Sequence, residues 1–592
     1  MNKLAALQRY FGFDAFRPYQ EEIIDCILQN QDVFAVLPTG AGKSLCFQLP
    51  AILLDGVAIV ISPLIALMQD QVDYLNQQGI RAAFINSSVA PYLIDEVLAD
   101  LNQYQLIYIA PERLVQARFL SCLKKANISF FIIDEAHCIS QWGHDFRPEY
   151  RSLNLLKQQF PNKAIAAFTA TATQTVNVDI CEQLLLKNPH KVQSSFDRPN
   201  LIIRIIERDH LQKQILAYLE PHAEHSGIIY AGTRKGVDEL HDFLLAKGLR
   251  VAKYHAGLSE KERFKAQRAF MNDDALIIVA TVAFGMGVHK SNIRFVIHAN
   301  MPKSVEQYYQ EMGRAGRDGL ASECTMLYHY QDLLLQKHLA KTHTEAEIID
   351  HQEKMAEQMF GFCSSLHCRR IDLLGHFAEK YIHDRCDACD NCLSETKVIE
   401  GTIIAQKILS CVYRLKERFG MNYVIDVLRG SKNKNILGRG HETLSTYGIM
   451  APHGQKELQH YVLSLIQQGF LQISQGEYPL LQLTPHSRKI LKDKQTVFFR
   501  QKKHTDKKAK VQHVDYDKDL FAQLSAVRKA IATKAGLPPF VIFHDRTLIE
   551  VCIHKPHTQA GLLQINGIGE EKLKRYGDAV LNCVKGYCTP PL

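Results

Sequence analysis

Residues 32–44, DVFAVLPTGAGKS, restrict the fold of this chain more tightly than any other stretch. DVFAVLP is a short apolar strand candidate that runs into two glycines, and SLCFQLPAILL follows with helical spacing. Strand, glycine-rich turn and helix, in that order, are the setting of a phosphate-binding loop in an α/β sheet. Gly40 and Gly42 let backbone N–H groups turn inward around phosphates, and Lys43 reaches the β and γ oxygens. The Ser44 hydroxyl suits Mg²⁺. The usual pattern, G-x-x-x-x-G-K-[ST], has a glycine where this chain has Leu37. Either the match is accidental or the chain dispenses with that glycine.

A chain of 592 residues exceeds one core and predicts three to five domains. Its composition, 46% hydrophobic and 22% charged, is that of a soluble globular protein. No apolar run approaches the roughly 18–20 residues of a membrane span, and MNKLAALQRYFGF lacks the apolar core of a signal peptide. A cytoplasmic protein without membrane partners is expected. The 15 cysteines then read as reduced thiols or metal ligands. A formal charge of +8 permits nucleic-acid binding without demanding it.

Further α/β units follow: GVAIVISPLIALMQDQV, QLIYIAPERL and ISFFIIDEAH. The apolar run at 128–133 ends in Asp134 and Glu135, at the sheet edge where ligands of open α/β sheets lie. Asp134 suits Mg²⁺, and Glu135 suits orienting and deprotonating a water. A second α/β set begins near residue 201 and ends in QEMGRAGRDG at 310–319. There Arg314 and Arg317, among small residues, can present guanidinium groups to phosphate from a second domain. A solvated pair of surface arginines is the competing reading.

LPTGAGKS, IAPERL, DEAH, TATAT, ATVAFGMG and QEMGRAGR, in this order, resemble the superfamily-2 helicases, in which the first phosphate-loop glycine is often replaced. The closest resemblance is to the RecQ DNA helicases, over essentially the whole chain. FRPYQEEII at 16–24 is similar to the family's adenine-recognition segment. The resemblance implies Gln20 on the adenine edge, Arg17 assisting and Phe13 stacking, with Thr39, Gly40, Gly42, Lys43 and Ser44 completing the ATP site. CISQWGHDFRPEY resembles the family's aromatic-rich loop, which couples DNA binding to hydrolysis and implies roles for Trp142, Phe146 and Arg147. Trp142 is the only tryptophan; a core anchor is the alternative, but its polar surroundings suit stacking on bases.

Cys386, Cys389 and Cys392 form overlapping C-x-x-C turns in CDACDNC, with Cys368 upstream across seventeen intervening residues. Four thiolates are the ligands of a closed structural zinc site, with an iron–sulfur cluster as the alternative. Cys363 could replace Cys368 on spacing alone. The resemblance favours Cys368, because the pair Arg369 and Arg370 follows it. Residues 401–490 suit a winged-helix module whose wing is the turn from Gly476 to Pro479. RQKKHTDKKAK at 500–510 carries six Lys or Arg against one Asp, and reads as a solvated linker able to meet phosphates. The tail resembles the small helical HRDC domain. Its turn at Ile568 either packs internally or lies against a phosphate backbone.

The expected architecture is α/β. It has two RecA-like domains (1–200 and 201–335), a zinc-binding module (336–400), a winged helix (401–490), a basic linker (491–514) and a helical HRDC domain (515–592). The resemblance implies an ATP-dependent, 3′–5′ DNA helicase using ATP, Mg²⁺ and Zn²⁺. It would act on single-stranded, forked and duplex DNA in repair, recombination, replication and the SOS response. Nucleoid association and a single-stranded-DNA-binding protein as partner are also implied. An RNA helicase, or a DNA-binding scaffold without hydrolysis, are the alternatives.

Overall fold

The computed structural model describes residues 2–588 apart from 64, 88, 115, 144, 286–289, 343, 475–479, 493–494 and 504–514. Two compact units emerge, one of residues 1–359, 370–388 and 510–592, the other of 360–369 and 389–509.

The larger unit begins with seven strands: β1 (Val33–Val36), β2 (Val57–Ile61), β3 (Ala82–Ile85), β4 (Leu106–Ile109), β5 (Ile128–Ile133), β6 (Ile165–Thr169) and β7 (His190–Gln193). They form one parallel sheet in the order β3-β4-β2-β5-β6-β1-β7. Helices cover a parallel sheet on both faces, so its strands read as unbroken apolar runs, as VFAV and VAIVI do. Phe47, Val60, Phe130, Ile132 and Phe168 lie in the core on one side of it. The order matters for the site: β6 alone separates β1 from β5, so the loops leaving both open onto one edge.

Residues 194–200 lead to a second sheet, made of β8 (Leu201–Glu207), β9 (Gly227–Tyr230), β10 (Val251–Tyr254), β11 (Ile277–Ala280), β12 (Phe295–His298) and β13 (Ser322–Tyr328). Its order is β10-β11-β9-β12-β13-β8, again all parallel. Two parallel sheets with α/β crossovers are the tandem RecA-like arrangement that the motifs predict. The connecting segment is gripped along its length. Glu379 accepts from the Ser195 hydroxyl (2.5 Å) and the Phe196 N–H (2.7 Å), and Phe196 stacks on Phe377 with ring centroids 4.3 Å apart. Arg370 holds Asp197 and the Leu201 carbonyl.

The C-terminal helices Lys518–Ala535, Asp545–His554 and Glu570–Cys588, with shorter ones between, enclose a separate core of Leu524, Phe543, Leu548 and Val584. The Ile568 side chain is buried in it. This bundle touches the second sheet's domain. Lys529 bonds the Asp273 carbonyl at 3.1 Å and pairs with Asp274 at 3.0 Å, while Ser291 and His544 lie 3.0 Å apart.

In the other unit, helices Thr402–Arg414, Met421–Arg429 and Gln455–Gln467 pack around Ile408, Val424, Tyr461 and Leu465. Strands β15 (Leu471–Ile473) and β16 (Leu481–Leu483) form a hairpin. The turn expected as the wing lies outside the described residues. One strand was not expected. Phe498–Lys503 (β17), inside the stretch read as linker, pairs antiparallel with Glu395–Glu400 (β14). Its charged end masked a partner about a hundred residues away in sequence.

Candidate functional site

The phosphate loop begins where β1 ends. Gly40 and Gly42 have φ of +92° and +85°, in the left-handed region where a side chain is strained. A Cβ built on Gly42 would also meet Gln20 Nε2 at 2.5 Å, so the Gln20 amide would have to shift. Lys43 opens the helix Lys43–Leu53, with Gly42 as its cap. The unpaired N–H groups and the dipole of that helix make its start a ready anion site.

Behind the loop, Gln20 donates to the Ala41 and Gly42 carbonyls at 3.3 and 3.2 Å and accepts from the Arg17 N–H at 2.9 Å. Arg17 Nη1 donates to the Gly40 carbonyl at 2.6 Å. The expectation set both side chains toward an adenine. In this structure both bond carbonyls of the phosphate loop, and Gln20 is 3% exposed. Phe13, at 50% exposure, presents an open ring.

Asp134 and Glu135 leave β5 at the same edge. The Asp134 carboxylate accepts from the Ser62 hydroxyl (3.3 Å) and from the Glu135 N–H (3.0 Å). Burial and the Glu135 charge raise its pKa to about 6, against the opposing pull of Lys43. Glu135 has φ of +48°. Among the described residues its Oε2 is buried without a hydrogen-bond partner, 3.4 Å from His137 Nδ1. Burial lowers the His137 pKa to about 4, so this imidazole is neutral near pH 7. A buried carboxylate oxygen with lone pairs to fill, beside a second carboxylate and the Lys43 helix, fits a hydrated cation and a water. The Tyr150 hydroxyl donates to the Asp134 carbonyl at 3.1 Å, a support that no local pattern announced.

The two arginines of the second domain differ. Arg314 is 4% exposed and donates Nη1 to the Gly285 carbonyl. Arg317 lies against the phosphate loop: a Cβ built on Gly40 would stand 3.7 Å from its Cγ. Burial, then the Arg314 and Arg198 cations, push its pKa down to about 9, so it remains charged at pH 7. Arg198, which the sequence reading passed over, touches both neighbourhoods. Nη1 reaches the Thr39 carbonyl at 3.2 Å and the Gly313 carbonyl at 3.3 Å. Nothing in SFDRPN distinguishes it from a turn arginine.

In the segment after Glu135, Trp142 is 39% exposed, its ring edge-on to His351 at 5.3 Å. That exposure removes the core-anchor alternative. Arg147 bonds Asp145 at 3.3 Å and the Pro63 carbonyl at 3.4 Å, and Arg151 lies over the Phe146 ring.

Cys368, Cys386, Cys389 and Cys392 bring their sulfur atoms within 4.8 Å of one another. Cys363 is not in the group. The Arg369 N–H points at Cys389 Sγ and the Ala388 N–H at Cys386 Sγ, both at 3.4 Å, contacts that favour thiolates. Four converging, largely buried thiols fit a closed tetrahedral zinc site.

Five family models match the chain in order: DEAD/DEAH box helicase (17–178), helicase conserved C-terminal domain (208–319), RecQ zinc-binding (330–393), RQC domain (395–508) and HRDC domain (517–584). The Bacillus subtilis ATP-dependent DNA helicase RecQ is 42% identical over 585 residues, covering 98% of each chain. The chain belongs to the RecQ family. Proteins of the same name from Haemophilus influenzae (42% identity, 98% of this chain and 95% of the relative) and Pasteurella multocida (40%, 98% and 93%) are similar to it throughout. For a RecQ-family chain the domain order and the four-cysteine zinc centre are as expected, and RQC coverage to residue 508 takes in β17.

Proposed function

We propose that this RecQ-family protein is an ATP-dependent DNA helicase that moves 3′ to 5′ on one strand and separates duplex or branched DNA. One observation carries the reading. The start of the Lys43 helix and the Arg317 side chain lie at one loop, and the Lys43 charge acts on the Asp134 carboxylate, although these groups come from two sheets. In this reading Lys43, with Thr39, Gly40, Gly42 and Ser44, holds the ATP phosphates, Phe13 stacks on the base, and Gln20, assisted by Arg17, bonds the adenine edge. Ser44 and Asp134 would hold Mg²⁺, which would supply positive charge against the phosphates. Glu135 takes the proton of the attacking water, and Arg317 stabilises charge on the transferred phosphoryl group, with Arg314 behind it. Trp142, Phe146 and Arg147 sense DNA. Repair and recombination are the proposed setting, in the cytoplasm at the nucleoid, with a single-stranded-DNA-binding protein as candidate partner.

Unwinding of matched DNA and RNA forks, each with a 3′ or a 5′ tail, tests the substrate and the direction together. DNA forks with 3′ tails should open in an ATP-dependent manner. Preference for RNA would support an RNA helicase, and DNA binding without ATP turnover would support a scaffold.

A further inference from the structure

Arg198 sits in the seven-residue segment between β7 and β8, and its side-chain bonds among the described residues go to backbone carbonyls. Nη1 donates to Thr39 at the phosphate loop and to Gly313. Nη2 donates to Ala315 at 3.0 Å and to Gly316 at 3.1 Å, the two residues that precede Arg317. A planar fork of donors thus joins the loop of the first domain to the turn that carries the arginines of the second. Asn200, two residues on, holds the same turn through Gly316 and Leu320, each at 2.9 Å. Gly316 has φ of +57°, and a Cβ there would meet Asn200 Nδ2 at 2.4 Å, so the turn is moulded to this segment.

We infer that Arg198 is a positioning residue for ATP hydrolysis, setting where the Arg317 guanidinium stands relative to the phosphate loop. The inference rests on the ATPase reading above. Its chemistry is geometric. The segment is itself fixed by Glu379, Phe377 and Arg370, so Arg198 works from a rigid base. Carbonyls on both sides of the joint accept from one guanidinium, so moving either side breaks bonds to the other. Lysine carries the same charge but cannot bond four carbonyls through a planar fork.

The test uses the full chain with saturating single-stranded DNA, and compares Arg198→Lys, Arg198→Ala, Arg317→Ala and Arg198→Lys/Arg317→Ala. A misplacement of about 1 Å costs on the order of 10²-fold, so kcat of Arg198→Lys should fall by about that factor. Its KM for ATP should stay within about threefold, because uniform binding is kept. The double variant should be no slower than Arg317→Ala by more than about twofold, since the two residues act through one guanidinium. A melting curve of Arg198→Lys separates positioning from folding, and keeps the test intact where Arg198→Ala does not fold. Unchanged kcat in Arg198→Lys, multiplied losses in the double variant, or a loss traced to melting would each overturn the inference. A wild-type chain that hydrolyses no ATP would overturn the functional reading along with it.

Discussion

Glu135 occupies left-handed backbone space, which costs a residue with a Cβ on the order of 1–3 kcal/mol and persists only where the surroundings impose it. The Asp134 carboxylate capping its N–H and the Tyr150 hydroxyl on the preceding carbonyl impose it here. That strain holds a buried carboxylate directly after Asp134 at the end of β5. Glu135→Gln keeps the shape but cannot accept a proton, and general-base loss costs about 10²–10⁴-fold in turnover. ATP and Mg²⁺ binding should survive; turnover within about twofold of wild type would take the role from Glu135. The arginines divide on similar grounds. Arg314 is engaged with the Gly285 carbonyl, whereas Arg317 lies along Gly40. Arg317→Ala should therefore lose roughly 10³-fold in kcat, about 4 kcal/mol of transition-state stabilisation, with far less change in ATP affinity. A full loss at Arg314→Ala with none at Arg317→Ala would reverse the assignment.

Two short elements carry more than their length suggests. The CDACDNC turn supplies three of four thiols, and its Asp390 pairs with Arg369, which follows the fourth. Structural zinc contributes apparent folding energy on the order of 10 kcal/mol, and three thiolates cannot close the tetrahedron. Cys389→Ala should give protease-sensitive protein with less than one zinc per chain by metal analysis; a full complement of zinc would refute the site. The loop from Cys138 to Arg147 begins three residues after Glu135 and has an exposed indole. Stacking contributes about 1–3 kcal/mol per base, so Trp142→Ala should lose most of the stimulation of ATPase by single-stranded DNA. Its melting temperature should hold, because little of the core depends on this ring. Undiminished stimulation would end the coupling role.

Over the whole molecule, the sequence revealed what is local. A phosphate loop, an acidic pair and a C-x-x-C repeat each place their chemistry within a few residues, so spacing alone exposes them. What it hid is non-local. Arg198 gains meaning only from carbonyls 115 to 159 residues away, and the bonds of Gln20 reach carbonyls 21 and 22 residues along the chain. The strand Phe498–Lys503 was hidden for the same reason, and it has a practical consequence. Its pairing sets Lys503 opposite Glu395, so the two ends of the stretch 395–503 lie side by side. A fragment of residues 395–503 is then a self-closing cassette, whereas 401–490 lacks both strands of the clasp. The longer fragment should melt cooperatively by circular dichroism, at least about 5 °C above the shorter, the scale of 1 kcal/mol in a domain of this size. With its ends side by side, it could be spliced into a surface loop of an unrelated protein at almost no cost in loop closure.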